Sequence, residues 1–376
     1  MTKHRTVYRT ILMLALVIFT GASNTAVAAP PAYTVTDLGT LGGSGSAGLA
    51  INASGQVTGD SGTTGDAESH AFLWTPTTPN GPSGTMHDLG TLGGTQGQGV
   101  SINASGQVTG ISLITGDSSY HAFLYDGTMH DLGTSAERSS EGTGINDSGH
   151  IVGVSSNGAY FSAFLYDGTR HNLAPLAEGS SARGINASGQ VTGGFNDNNA
   201  FLWTPTTPNG NTGTAVTLGY LNHLGFDTRA NAVNASGQVT GAAGRVGVAL
   251  HAFLYDGTMH DLGTLGGTYG DGYAINDHGQ ITGQSSTPGD ADSAAFLYTS
   301  ETGMVDLNAL IDPASGWRLA IGRGINNAGQ ITGYGYIGNK VHGFLLTPVP
   351  EPASVALLAL GIPLILSWKS QRSLNG

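Results

Sequence analysis

Cysteine is absent from this 376-residue sequence, basic residues are scarce, and charged residues of both signs make up only 10% of it. The missing thiols exclude disulfide frameworks, cysteine zinc sites, iron-sulfur clusters and thiol nucleophiles. Thirteen Lys and Arg stand against 25 Asp and Glu, a net charge of −12, so the basic patch that a nucleic-acid binder needs to displace counterions is missing. What the chain has instead is glycine: 61 residues of it, without a G-X-Y period, beside 39% hydrophobic residues. That combination excludes collagen, and it is too apolar for a disordered polar chain.

Both ends read as processing segments. Lys3, Arg5 and Arg9 precede the apolar stretch Ile11 to Phe19, and small residues follow up to Ala26-Val27-Ala28. This order predicts a secretory signal peptide over residues 1–28, cleaved after Ala28. The alternative, a transmembrane anchor, needs about 20 apolar residues, more than this stretch supplies. At the other end Val349-Pro350-Glu351-Pro352 leads into an uncharged run from Ala353 to Trp368, then to Lys369 and Arg372. As a helix that run spans about 24 Å, short of a hydrocarbon core of about 30 Å, and Pro363 interrupts it. The tripeptide Pro350, Glu351, Pro352 with its short hydrophobic segment and basic end resembles the PEP-CTERM sorting signal of exported proteins of Gram-negative bacteria. That resemblance implies an exosortase and the secretion machinery as partners. It also implies cleavage near the tripeptide, transient or marginal membrane anchoring through residues 353–368, and a final place outside the cell or on its surface. An ordinary tail anchor is the alternative.

Loss of both ends removes Lys3, Arg5, Arg9, Lys369 and Arg372 and no acidic residue before Glu351, leaving the remainder more acidic. Such a field repels anionic polymers and favours solubility or association with divalent cations.

Between the ends, residues 29–348 hold seven copies of one unit. The pattern I/V-N-x-x-G-Q/H-I/V-T/V-G starts at Ile51, Ile102, Ile145, Ile185, Val233, Ile275 and Ile325. A second pattern, usually H-A-F-L-W/Y, places phenylalanines at Phe72, Phe123, Phe164, Phe201, Phe253, Phe296 and Phe344. A third, typified by T-M-H-D-L-G, follows it. Each unit reads as four short strands: a Gly-rich strand a, a turn such as Asn52-Ala53-Ser54-Gly55 into strand b, strand c on the H-A-F-L-Y pattern, and strand d after a turn such as Asp126-Gly127. Hardly any helix is expected beyond a turn at Asp306 to Ile311.

The phase of the repeats predicts the architecture. The segment Tyr33 to Gly39 is a lone strand d, and the last unit ends with a strand c, His342 to Thr347. An N-terminal strand that completes the last unit closes a ring, so the expectation is an all-β, seven-bladed β-propeller of four-stranded blades; the alternative is an open β-solenoid.

The strings His121-Ala122-Phe123-Leu124-Tyr125 and His251-Ala252-Phe253-Leu254-Tyr255, with the D-L-G-T-L-G-G segments at Asp37, Asp88 and Asp261, resemble the HAF-type extracellular repeats of bacterial exported proteins. The resemblance spans residues 33 to 347 and implies an extracellular location, with no activity to carry over. Ser162, Asn199 and Ala294 replace the His, and Gly343 replaces the Ala, so the His is not required by every blade.

Chemistry is thin. His70, His121, His251 and His342 at the start of strand c, and His87, His130, His171 and His260 in strand d, read as packing hydrogen bonds rather than metal ligands or bases, because neighbours on a strand face opposite sides. Asp126, Asp167 and Asp256 are explained by their turns. No carboxylate pair stands out for glycosidic cleavage, and no catalytic residue or metal ligand is assigned. The connections between strands b and c differ sharply among the copies, and variable loops on a rigid frame are where binding usually sits, although unconstrained drift explains them as well. Within and beside them Asp60, Asp66, Glu68, Tyr120, Asp290, Asp292, Tyr334 and Tyr336 are candidate contacts for calcium or sugar. The expectation is an exported binding or structural module associated with extracellular polysaccharide or biofilm, without enzymatic activity or a required cofactor. The alternative is a carbohydrate-active hydrolase or lyase.

Overall fold

The computed structural model describes residues 33–350 apart from 134–137, 174–175, 177, 196–198, 222–226 and 246–247. The expected signal peptide with Ala28, and the sorting signal at Glu351, Pro352 and beyond, lie outside the described residues. No described helix is long and apolar enough to cross a membrane.

Twenty-eight strands make five four-stranded sheets and one eight-stranded sheet. The larger sheet is two antiparallel meanders, residues 42–90 and 93–131, joined by one parallel pair between Ser69 and Gln96. The repeated meanders at 139–172, 180–217, 228–263 and 270–306 follow in chain order. The last sheet takes strands Trp317–Ile325, Ile331–Ile337 and Lys340–Pro348 from the C-terminal end and the strand Tyr33–Asp37 from the N-terminal end, in register Thr34 with Thr347 and Thr36 with Leu345. The only helical pieces among the described residues are short 3-10 turns, one of them Leu307–Leu310 within the segment expected to turn.

Asparagine closes the ring. In the first unit the Asn52 Oδ1 accepts the backbone N–H of Ser54 and Gln56 at 3.1 and 3.0 Å, which shapes the turn between strands a and b. Its Nδ2 donates to the Asn103 carbonyl of the next unit at 3.0 Å. Asn103 does the same to Asn146, Asn146 to Asn186, Asn186 to Asn234, Asn234 to Asn276 and Asn276 to Asn326. Asn326 donates to the Asn52 carbonyl at 3.1 Å, so the chain of seven links returns to its start. All seven side chains are buried.

The core is divided among the junctions. Each strand-c phenylalanine is fully buried and clusters with strand c of the preceding unit: Phe123 with Ala71, Phe164 with Ala122, Phe253 with Ala200, Phe296 with Ala252. Adjacent Ala and Phe on one strand face opposite sides, so H-A-F-L-Y offers a small residue to one neighbour and a ring to the other. Burying one such ring contributes about 2–3 kcal/mol. Gly343 stands for the Ala at the last junction because a Cβ there would come within 2.9 Å of the Gly48 nitrogen. The strand-b threonines Thr58, Thr109, Thr240 and Thr332 are also fully buried. Their hydroxyls donate to the phenylalanine carbonyls, Thr58 to Phe72 at 2.7 Å.

Candidate functional site

Strand a of each unit lies against strand a of its neighbours, so the seven strands a surround the axis. Near the asparagine turns the axis is repetitive: Ile51, Ile102, Ile145, Ile185, Val233, Ile275 and Ile325 line a cavity of about 290 Å3 together with the asparagines that follow them. Toward the loop face, where strand a begins and strand b ends, it widens to about 460 Å3.

The side chains around this wider cavity change from unit to unit, arginine alone recurring at an equivalent position. Three residues before the turn asparagine stand Leu49, Val100, Thr143, Arg183, Asn231, Tyr273 and Arg323, and all seven line it. Five residues before the asparagine, Ala47, Gln98 and Glu141 line it too, and strand b adds Asp60 and Tyr334. A frame of repeated turns thus presents two guanidiniums, two carboxyls, two phenols, two amides and the Thr143 hydroxyl.

Burial and partners set the electrostatics. Asp60 accepts from Gln98 Nε2 at 2.8 Å and from the Ser69 hydroxyl at 3.5 Å, yet desolvation keeps its carboxyl above the usual range. Glu141 is raised for the same reason, against the pull of Arg183. Behind the wall Asp271 is 3% exposed. It accepts from Asn231 Nδ2 at 2.7 Å and Tyr269 Oη at 3.2 Å, and burial still pushes it up to about 6 while Arg229 and Arg183 oppose the rise. Burial raises the Tyr273 hydroxyl as well, with Asp271 adding to the effect. The Arg323 guanidinium lies 4.3 Å from the Tyr273 ring centre, and its Nε is buried with no hydrogen-bond acceptor among the described residues.

No family model matches the chain, and no curated protein matches it. Among solved structures it is similar to the Aleuria aurantia lectin, at 12% identity over 71% of this chain and 96% of that one, with a TM-score of 0.40. It is also similar to the β-propeller domain of the Trilobed protease from Pyrococcus furiosus, at 9% identity over 80% and 93% of the two chains and a TM-score of 0.48. Trypanosoma rangeli sialidase is similar at 8% identity and a TM-score of 0.45, this chain spanning 56% of its length.

The candidates named from sequence separate into two groups. Asp60 and Tyr334 line the axial cavity, and Tyr120 lines a neighbouring pocket that Asp60 also lines, with its hydroxyl donating to Gln96 Oε1 at 2.7 Å. The others are engaged at the rim. Asp66 and Asp290 accept the N–H of Ser44 and Thr268 at 2.7 Å, tying the b–c turn to the Gly-Gly loop that opens strand a. Asp117 does this for Thr95 at 2.8 Å. The same three units carry the T-L-G-G string, because a Cβ on Gly43, Gly94 or Gly267 would fall within 2.7 Å of the aspartate oxygen. Glu68 pairs with His70 at 3.1 Å. Asp292 pairs with Arg318 at 2.6 Å, and that guanidinium lies 4.2 Å from the Tyr336 ring centre. Among the described residues no three His, Asp or Glu gather to hold a metal ion.

The recurrent histidines pair with aspartates of their own sheet: His70 with Asp88 at 2.9 Å, His121 with Asp131 and His251 with Asp261 at 2.8 Å. His342 pairs with Asp37 at 2.9 Å across the joint between the chain ends.

Sequence reading missed Gln98, Glu141, Arg183, Asp271, Tyr273 and Arg323. The signal was there: in the strand that precedes the most constant turn, two positions vary from copy to copy, with Arg183 and Arg323 the one coincidence.

Proposed function

We propose that the chain is an exported seven-bladed β-propeller that acts as a binding module for extracellular polysaccharide at the cell surface or in a biofilm matrix. The observation that carries the reading is the loop-face cavity of about 460 Å3, lined from all seven units by side chains that differ from copy to copy. Variation confined to one concave place on a repetitive frame is how a scaffold acquires a ligand. The seven-link asparagine ring and the strand Tyr33–Asp37 in the last sheet support the blade number. The export part rests on the residues of the two ends: a signal peptide removed after Ala28, and an exosortase acting at Pro350-Glu351-Pro352 with transient anchoring through residues 353–368.

A second reading, an extracellular hydrolase or lyase on the same scaffold, is favoured by one observation. Asp60 and Glu141 line one cavity, and burial raises both carboxyls, as a general acid requires. The purified full-length chain, incubated with neutral and acidic polysaccharides, separates the two. Retention in a pull-down without new reducing ends supports the module. New reducing ends that disappear in Glu141→Gln support the enzyme, and absence of both retention and new reducing ends on every polymer overturns both.

A further inference from the structure

The axial cavity has two neighbours on the loop face. A pocket of about 290 Å3 containing Tyr120, Ser69 and Ile111 shares Asp60 and Gln98 with it. Another of about 290 Å3 containing Phe161, Phe195 and Arg229 shares Arg183 with it. Walls held in common make the three adjoining parts of one groove that crosses the axis. We propose that this groove takes an acidic polysaccharide chain, with one anionic group of a sugar residue, carboxylate or sulfate, held over the axis by Arg183 and Arg323. The proposal rests on the binding reading above and specifies its ligand.

Unmet guanidinium donors point to an anion. Of the carboxyls here, Asp60 is served by Gln98, Asp271 behind the wall by Asn231 and Tyr269, and Glu141 feels the charge of Arg183 without a hydrogen bond among the described residues. The cavity's strongest donors are not served: Arg183 makes no hydrogen bond among the described residues, and the Arg323 Nε is buried without an acceptor. A guanidinium presents a planar fork that matches a carboxylate or another oxyanion with two parallel bonds. Arg183, Arg229 and Arg323 are three of the eight basic residues between 33 and 350, a concentration that the overall charge of −12 conceals. Repulsion from distant surface carboxylates is screened over about 8–10 Å at ordinary ionic strength.

A chain fits better than a small anion. Tyr120 and Phe161 are 37% and 54% exposed in the two flanking pockets, and exposed aromatic rings suit the apolar faces of pyranose units. Gln98, Thr143 and Asn231 between them offer partners for hydroxyls. Nucleic acid fits poorly, because a phosphate at every step calls for a long basic track.

The test is affinity electrophoresis or biolayer interferometry of the full-length chain against a polyuronate, a sulfated polysaccharide and a neutral glucan. Arg183→Ala, Arg183→Lys and Lys340→Ala are measured beside the wild type, with thermal unfolding to confirm that each variant is folded. Lys340 is exposed on the same face and lines none of the three pockets. The expected result is binding of one or both acidic polymers, weakened at least tenfold by Arg183→Ala, partly restored by Arg183→Lys and changed less than twofold by Lys340→Ala. Equal binding by wild type and Arg183→Ala, or preference for the neutral glucan, overturns the acidic-ligand proposal and leaves the binding module standing. Failure to bind any of the three overturns both.

Discussion

Single atoms decide why so much of this chain is glycine. Gly59, Gly110, Gly241 and Gly283 in strand b have no room for a Cβ, which would sit within 2.0 Å of a strand-a carbonyl oxygen. In the next unit Gly99, Gly142, Gly272 and Gly322 leave space for the buried threonine hydroxyls, with 2.1–2.2 Å to a would-be Cβ. The composition therefore reports close approach of strands rather than flexibility. At the same scale Asp271 makes a pH prediction. Its folded pKa of about 6 lies above the ordinary 3.8, so between those values the folded chain holds a proton that the unfolded chain has released. Stability falls as pH rises through that window and stays lower above it, by up to about 3 kcal/mol. Denaturant unfolding from pH 4 to pH 8 should show this fall in the wild type and a flatter profile in Asp271→Asn. Equal slopes in the two proteins would contradict the assignment.

Elements carry corrections for local departures from the repeat. The unit at 139–172 has His150 where the other turns have glutamine, so Asn146 lacks the side-chain acceptor that Asn52 finds in Gln56 at 2.8 Å. The long c–d connection of the following unit supplies it: Asn209 Oδ1 accepts from Asn146 Nδ2 at 2.8 Å, and the Asn209 N–H donates to the Ser188 carbonyl at 3.0 Å. The matching loop in the first unit brings Asn80 to Asn326 and Gln330, across the joint between the chain ends. Removing a buried acceptor costs about 1–3 kcal/mol. Asn209→Ala should therefore destabilise the protein by that order, and by more than Asn80→Ala, because Gln330 still serves Asn326 at 3.1 Å. Thermal melts of the two variants check it, and equal melting points would remove this role for Asn209. Strands and turns were legible because they depend on neighbours in sequence, as in Asn52-Ala53-Ser54-Gly55. The Asn209 clasp was not, since its partner lies 63 residues away and only the ring brings them together. The axial arginines escaped for a related reason: a charged residue in a Gly-rich strand says nothing of which way the strand faces until the strands a are known to surround the axis.

The whole molecule joins two opposed requirements. Closing a ring favours sameness, and the seven asparagines, the strand-c phenylalanines and the strand-b glycines meet it, with Tyr33–Asp37 securing the joint. Binding favours difference, and the loop-face end of the axis supplies it. If the repeats themselves bound ligand, up to seven equivalent sites would lie at the junctions between units. If the axial cavity binds, there is one. Isothermal titration calorimetry of the full-length chain, with a short oligosaccharide of whichever polymer it retains, counts them directly. One site per chain, lost in Arg183→Ala, is the predicted result. A stoichiometry of several sites per chain, unchanged by that substitution, would contradict the axial site and return the ligand to the repeated surface.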